Sequence, residues 1–378
     1  MTAEIPFHRV EMVGTEMDAV RAALESGHTA AFGPFADRVG ALLREVHGAP
    51  EAILTTSGTD ALEMAALLLD LGPGDKVIVP SFTFVSSALA FARTGAEIVF
   101  ADIEPVTLGI DPASAVEHID DRVRAVVAVH YAGIGCRIRD LGAAIPDRVE
   151  IIEDNAQGLF GSIDGQPLGT FGRASAISFH QTKNLIAGEG GALVVNDPAD
   201  VDRAHVLAEK GTNRRAFFQG AVDKYTWRDT GSSFGMSDVL AAILWAQLEA
   251  RESIQRRRQA LYARYQQLIA DWADDAGVVT PVIPDGHAPS YHLYHLLLPD
   301  HATRDRVIHE LRDQGIGTAF HYIPLHDAPG GRMFSSEEYR CPVATDVAGR
   351  LIRLPFYPSL TDAEAVRVVE ALARSLRV

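Results

Sequence analysis

The chain has 378 residues, 47% apolar and 22% charged, which suits a water-soluble globular protein of two or three domains and excludes disorder or a fibre. Lys and Arg number 34 against 50 Asp and Glu, a formal charge of −16 that repels nucleic acid and anionic membranes. Two cysteines, Cys136 and Cys341, are too few for a disulfide framework and lack the spacing of a zinc site, so no metal is expected and a reducing cytoplasm fits.

The opening segment, MTAEIPFHRVEMVGTEMD, carries acids where a signal peptide needs basic residues. No later stretch approaches the ~20 apolar residues of a membrane span, and the expected location is the cytoplasm. Thr59–Leu71 (TDALEMAALLLDL) has helical spacing and stops at Gly72-Pro73-Gly74. Short β-branched runs follow at Lys76–Val79, Glu97–Phe100, Ala125–Val129, Glu150–Ile152, Ala174–Phe179 and Ala192–Asn196. Near-continuous apolar strands alternating with helices predict the α/β class, a mostly parallel sheet covered on both faces. From Ser237 to Ile269 one long helix is expected, with no glycine or proline to stop it. Beyond Pro281 the pattern predicts strands at Tyr291–Leu298 and Gly317–Tyr322, with helices at Arg304–Gln314 and after Thr361. The expected division is a large α/β domain over 1–254 and a smaller α+β domain over 255–378.

The stretch Ser178–Gly191, SFHQTKNLIAGEGG, sets Lys183 before a glycine-rich turn between two predicted strands. Taken singly, that lysine reads as a solvated charge. Upstream, the run ending in Glu153-Asp154-Asn155-Ala156-Gln157 places carboxylates at a strand's C-terminal edge, where open α/β sheets bind ligands. The segment TTSGTD at Thr55–Asp60 opens a helix, so free N–H groups and a positive dipole end meet there and favour phosphate. A phosphate cradle, an acid and a lysine at one sheet edge suit pyridoxal phosphate. Its aldehyde needs an amine, its ring nitrogen an anion and its phosphate backbone donors.

The motifs TTSGTDALEMAALLL, VIVPSFTFVSSA, VHYAGIGC, EDNAQG, SFHQTKN, GEGGALVVND, HYIPLH and LPFYPSL, in this order over nearly the whole chain, resemble the DegT/DnrJ/EryC1/StrS aminotransferases. That family is a sugar aminotransferase branch of fold type I pyridoxal-phosphate enzymes. The resemblance implies that Lys183 bonds the cofactor aldehyde and shuttles the substrate proton, and that Asp154 pairs with the ring nitrogen. It implies Gln157 on the phenolic oxygen, Phe84 stacked on the ring, and Gly58, Thr59 and Ser178 on the phosphate. Ser232 and Ser233 are implied at the phosphate too, within a homodimer whose active sites are shared across the interface. His321, Tyr322 and His326 are implied to face a nucleotide sugar, and Arg214 and Tyr225 belong to a tract suited to its diphosphate and base. L-glutamate is the implied amino donor. Within the family, EKGTNRRAFFQGAVDKYTWRDTGSSF looks most like the branch that aminates C4 of dTDP-4-keto-6-deoxyglucose. A 3-keto or UDP-linked sugar stays open as an alternative, as does a noncatalytic binding or regulatory protein on the same fold.

Overall fold

The computed structural model describes residues 4–377. Its main sheet has seven strands: β1 Glu51–Thr55, β2 Lys76–Pro80, β3 Glu97–Ala101, β4 Val123–Val129, β5 Glu150–Asp154, β6 Ala174–Ser178 and β7 Gly191–Val195. They lie in the order β1-β7-β6-β5-β4-β2-β3. Neighbours from β6 through β3 are parallel. The pairs β6/β7 and β7/β1 are antiparallel. A parallel neighbour needs a crossover, usually a helix, and no helix intervenes in residues 179–190. The chain therefore doubles back after β6, and Lys183 rides on that return.

Alternation along the strands divides the core. Val77, Val79, Ile98, Phe100, Ala125 and Val127 join one apolar cluster with the helix Gly58–Leu68. Their sequence neighbours Ile78, Val99, Ala101, Val126 and Ala128 join another on the opposite face. Burial on both faces produces the unbroken apolar runs. The same alternation sends Glu153 and Asp154 to opposite sides of β5.

A further cluster unites Tyr265, Tyr294, Leu296, Val307, Leu311, Ile352, Val368 and Leu372. It surrounds the antiparallel pair β8 His295–Leu297 and β9 Leu351–Arg353. Ile5 is buried in this cluster, and its N–H donates to Gly315 O at 2.8 Å. The final helix, Asp362–Leu376, starts with a capping box from Thr361 and Glu364.

Several expected elements differ. The single long helix is two, Asp238–Glu249 and Arg251–Ile269, meeting at Ala250. The first packs Ala241, Leu244 and Leu248 into one cluster, the second packs Leu261, Tyr265 and Ile269 into another, and tertiary packing bends the backbone between them. The strand expected over Tyr291–Leu298 narrows to β8, because Arg258 takes the carbonyls of Tyr291 and His292. Gly317–Tyr322 forms no strand: only Ala319 bridges to Arg353, and Gly317 donates its N–H to Ile5 O. β1 is an additional strand, five buried residues whose short run lacks a period that tells strand from helix.

Candidate active site

A cavity of about 650 Å³ opens at one edge of the main sheet. The segments after β1, β2, β4, β5 and β6 supply Gly58 and Thr59, Thr83 and Phe84, Tyr131, Asp154 and Gln157, and Ser178 and Lys183. These are the C-terminal ends of codirectional strands. His321, Tyr322 and Arg353 enter from the C-terminal part.

Asp154 ends β5 and is 7% exposed. The Ser87 hydroxyl donates to its Oδ2 at 2.6 Å and Ala156 N–H to its Oδ1 at 3.1 Å. Thr83 Oγ1 lies 2.8 Å from Ser87 Oγ and buttresses it. Each carboxylate oxygen thus has a donor of its own. Beneath it, Glu153 and His130 are wholly buried. Cys136 N–H donates to His130 Nδ1 at 3.2 Å, so the ring proton sits on Nε2 and is donated to Glu153 at 2.9 Å. The N–H groups of Gly169, Phe171 and Gly172 also donate to Glu153, each at 2.7 Å. Asn155 is buried, and its Nδ2 donates to Leu168 O at 2.9 Å, tying the acidic segment to the same loop.

Burial pulls the Lys183 ammonium down to about 8, with Asp154 opposing and Arg353 assisting. A lysine near 8 supplies a sizeable neutral fraction at physiological pH, as a nucleophilic amine requires. Burial likewise drives His321 down to about 2, helped by Arg353 and Lys183, so its ring is neutral. Burial raises Tyr322 to about 12 and keeps its hydroxyl protonated.

The helix Gly58–Leu68 begins against β6. Ser57 caps it by accepting Asp60 N–H at 3.0 Å, and helix geometry leaves the Gly58 and Thr59 N–H groups without intrahelical acceptors. A Cβ on Gly58 would sit 2.9 Å from Ser178 Cβ, so glycine lets this turn lie against the Ser178 hydroxyl. Thr59 Oγ1 lies 2.7 Å from Ser86 Oγ. Phe84 is 58% exposed, with its centroid 6.5 Å from that of Tyr322. Ala132 N–H donates to Gln157 Oε1 at 2.7 Å, and Gln157 Nε2 donates to the Tyr322 hydroxyl at 3.2 Å.

Of the residues singled out in the sequence, Gly58, Thr59, Phe84, Asp154, Gln157, Ser178, Lys183, His321 and Tyr322 line this cavity. The others lie elsewhere in the chain. Ser232 and Ser233 are exposed and pair by backbone with Lys210 and Glu209. Arg214 lines a separate cavity beside Glu209 and Phe218, and Tyr225 is 52% exposed. His326 turns away, with Nδ1 2.5 Å from Ser81 Oγ. Sequence reasoning passed over Ser87, Tyr131 and Arg353. The first two sit inside the motifs VIVPSFTFVSSA and VHYAGIGC, and Arg353 is a cation in the middle of the apolar run LIRLPF.

These residues fit pyridoxal phosphate: an amine near 8, an anion held by two donors, and a helix start opened by glycine share one cavity. The chain is a pyridoxal-phosphate-dependent aminotransferase of fold type I. It belongs to the DegT/DnrJ/EryC1/StrS aminotransferase family, whose model matches residues 11–373. It is 33% identical to the spore coat polysaccharide biosynthesis protein SpsC of Bacillus subtilis, over 94% of this chain and 93% of that protein. It is 32% identical to dTDP-4-dehydro-2,3,6-trideoxy-D-glucose 4-aminotransferase of Saccharopolyspora spinosa, over 86% and 84%. The PLP form of a sugar aminotransferase, Spr1654 from Streptococcus pneumoniae, superposes with a TM-score of 0.90 at 25% identity, covering 99% of both chains. No helix among the described residues is long and apolar enough to cross a membrane.

Proposed function

We propose that this enzyme moves the amino group of L-glutamate to C4 of a nucleotide-linked 4-keto-6-deoxy sugar. The reading is specific: dTDP-4-dehydro-6-deoxy-D-glucose becomes dTDP-4-amino-4,6-dideoxy-D-galactose, for surface polysaccharide or another glycoconjugate made in the cytoplasm. The observation that carries it is the pairing of Lys183 and Asp154 in a cavity of about 650 Å³, with room for more than the cofactor. The S. spinosa relative, named as a 4-aminotransferase of a dTDP sugar, supports both the carbon and the nucleotide.

Bound pyridoxal phosphate supplies an electron sink for the charge that develops when a substrate carbon loses its proton. Lys183 takes that proton on Nζ and returns it. Asp154 holds a negative charge against the ring nitrogen, fixed by Ser87 and Ala156, and so needs no reorganisation during the reaction. Gly58, Thr59 and Ser178 receive the phosphate, Phe84 covers the ring face and Gln157 meets the phenolic oxygen. His321 and Tyr322 orient the sugar. In a homodimer Ser232 and Ser233 reach the neighbouring phosphate, while Arg214 and Tyr225 face the nucleotide. The chain divides into units of residues 1–254 and 255–378 in this reading, with the N-terminal segment crossing to the second through Ile5. Incubation with L-glutamate and a panel of 4-keto and 3-keto nucleotide sugars, with the product solved by NMR, tests it. Amination of a 3-keto sugar alone would contradict the C4 assignment.

A further inference from the structure

The cavity wall holds an imidazole whose proton is placed by the residue that follows Lys183 in the chain. Asn184 Nδ2 donates to Ser290 O at 2.7 Å. A carbonyl only accepts, so the amide nitrogen faces Ser290 and the amide oxygen faces His292 Nδ1, 2.9 Å away. That oxygen also only accepts, and the ring proton therefore sits on Nδ1. Burial holds His292 well below the ordinary imidazole range, with the charges of Lys183, Arg258, Arg353 and His321 adding to it in that order. The ring is neutral, and Nε2 keeps a bare lone pair.

The backbone is bent to present this pair. Tyr291, between Ser290 and His292, has φ +53°, a left-handed conformation that a bulky residue adopts at a cost. The buried Arg258 holds it there, donating from Nε to Tyr291 O at 2.9 Å and from Nη2 to His292 O. Ser290 is fully buried. Its N–H donates to Gly133 O at 3.0 Å, and Gln255 Nε2 donates to its carbonyl at 2.8 Å. The strained turn brings the Ser290 carbonyl and the His292 ring onto one amide, that of the neighbour of Lys183.

His292 Nε2 has no hydrogen-bond partner among the described residues, yet it is not sealed in the core, and His292 lines the catalytic cavity. Lys183 Nζ shares both properties. A buried ammonium needs an acceptor. Other acceptors of the cavity are engaged, Asp154 by Ser87 and Ala156 and Gln157 Oε1 by Ala132.

We propose that Asn184 and His292 are positioning residues for Lys183: while the lysine carries the substrate proton, His292 Nε2 accepts a hydrogen bond from Nζ and so aims the proton to be returned. The proposal rests on the aminotransferase reading above and deepens it. No proton passes to the imidazole, which stays neutral throughout. Lys183 takes one proton from the substrate carbon and gives one back.

The test compares the native protein with His292→Leu and with His292→Gln, whose amide oxygen can stand where Nε2 stands. In cofactor-loaded protein the donor half-reaction with L-glutamate, followed by stopped-flow absorbance, should slow about 10- to 100-fold in His292→Leu, the loss of one hydrogen bond to a charged group. The isotope effect from deuterium at the glutamate Cα should grow as proton transfer becomes limiting, with cofactor content unchanged. His292→Gln should recover much of the rate. Losing an acceptor also disfavours the ammonium, so the pH midpoint of cofactor uptake should fall by about one pH unit in His292→Leu and return in His292→Gln, a reversal that damaged packing would not give. Proton–nitrogen NMR of the native holoprotein with labelled histidine should show the ring that His292→Gln removes with its proton on Nδ1, and it serves where His292→Leu does not fold. A proton on Nε2, an unchanged half-reaction in His292→Leu, or a midpoint that does not move overturns the proposal. Failure of L-glutamate as donor, with the midpoint still lowered in His292→Leu, would instead count against the assigned donor.

Discussion

Replacing Lys183 by methionine should make the cofactor-free protein more stable while abolishing its activity. Burial brings the ammonium from 10.5 to about 8, so below pH 8 the folded state carries a cation that the unfolded chain solvates better. At about 1.4 kcal/mol per pH unit, the penalty near pH 7 is at most about 3 kcal/mol, and partial exposure of the side chain reduces it to roughly 1–3 kcal/mol. The attraction of Asp154 is already contained in that value. The sign follows from proton counting: between pH 8 and 10.5 the unfolded chain binds a proton that the folded one has lost, so native stability rises with pH. Methionine removes the cation at similar volume. Urea unfolding of both proteins, freed of cofactor, should show the variant ahead at pH 7 and the difference shrinking toward zero by pH 10.5. A variant no more stable at pH 7, or a gain that persists at pH 10.5, would refute the claim that this lysine is held in a destabilising environment for its chemistry.

Cofactor uptake requires the neutral amine, so its rate should climb with pH through an apparent midpoint near 8, followed in stopped-flow absorbance. Asp154→Asn should lower kcat by about 10²- to 10⁴-fold, as expected when a preorganised charge is lost, with cofactor content by absorbance little changed. Glu153→Gln leaves three backbone donors and the His130 Nε2–H facing a neutral amide and should cost about 1–3 kcal/mol in urea unfolding, the penalty for buried donors left unsatisfied. Gly58→Ala pushes a methyl against Ser178 and should weaken cofactor binding about tenfold in equilibrium titration, equivalent to one lost hydrogen bond.

The parallel strands and the helix Gly58–Leu68 were legible because they are buried on a regular period and punctuated by glycine and proline. β1 was not, since only Ala52, Ile53 and Leu54 of its five residues are apolar, too short a run to tell strand from helix. The break at Ala250 left no local mark: alanine favours helix, and only the two cores on either side bend the chain there. The meeting of Asp154 and Lys183 in one cavity was legible because Asp154 ends β5 and Lys183 follows β6 on the return to β7. Ser87 and Tyr131 read as ordinary polar and aromatic residues, and their roles depend on partners 67 and 190 residues away. Arg353 is joined to the site by folding alone. Arg214, Tyr225, Ser232 and Ser233 do not line the cavity that holds Lys183, and nothing in their local sequence distinguishes them from the residues that do.

The claim on which everything turns is that Lys183 forms the covalent link to pyridoxal phosphate. Borohydride reduction of the loaded protein, followed by proteolysis and mass spectrometry, tests it directly. One phosphopyridoxyl group is expected, on the peptide containing Lys183, and none in Lys183→Met. A label on another lysine, or a protein that takes up no cofactor, would contradict it.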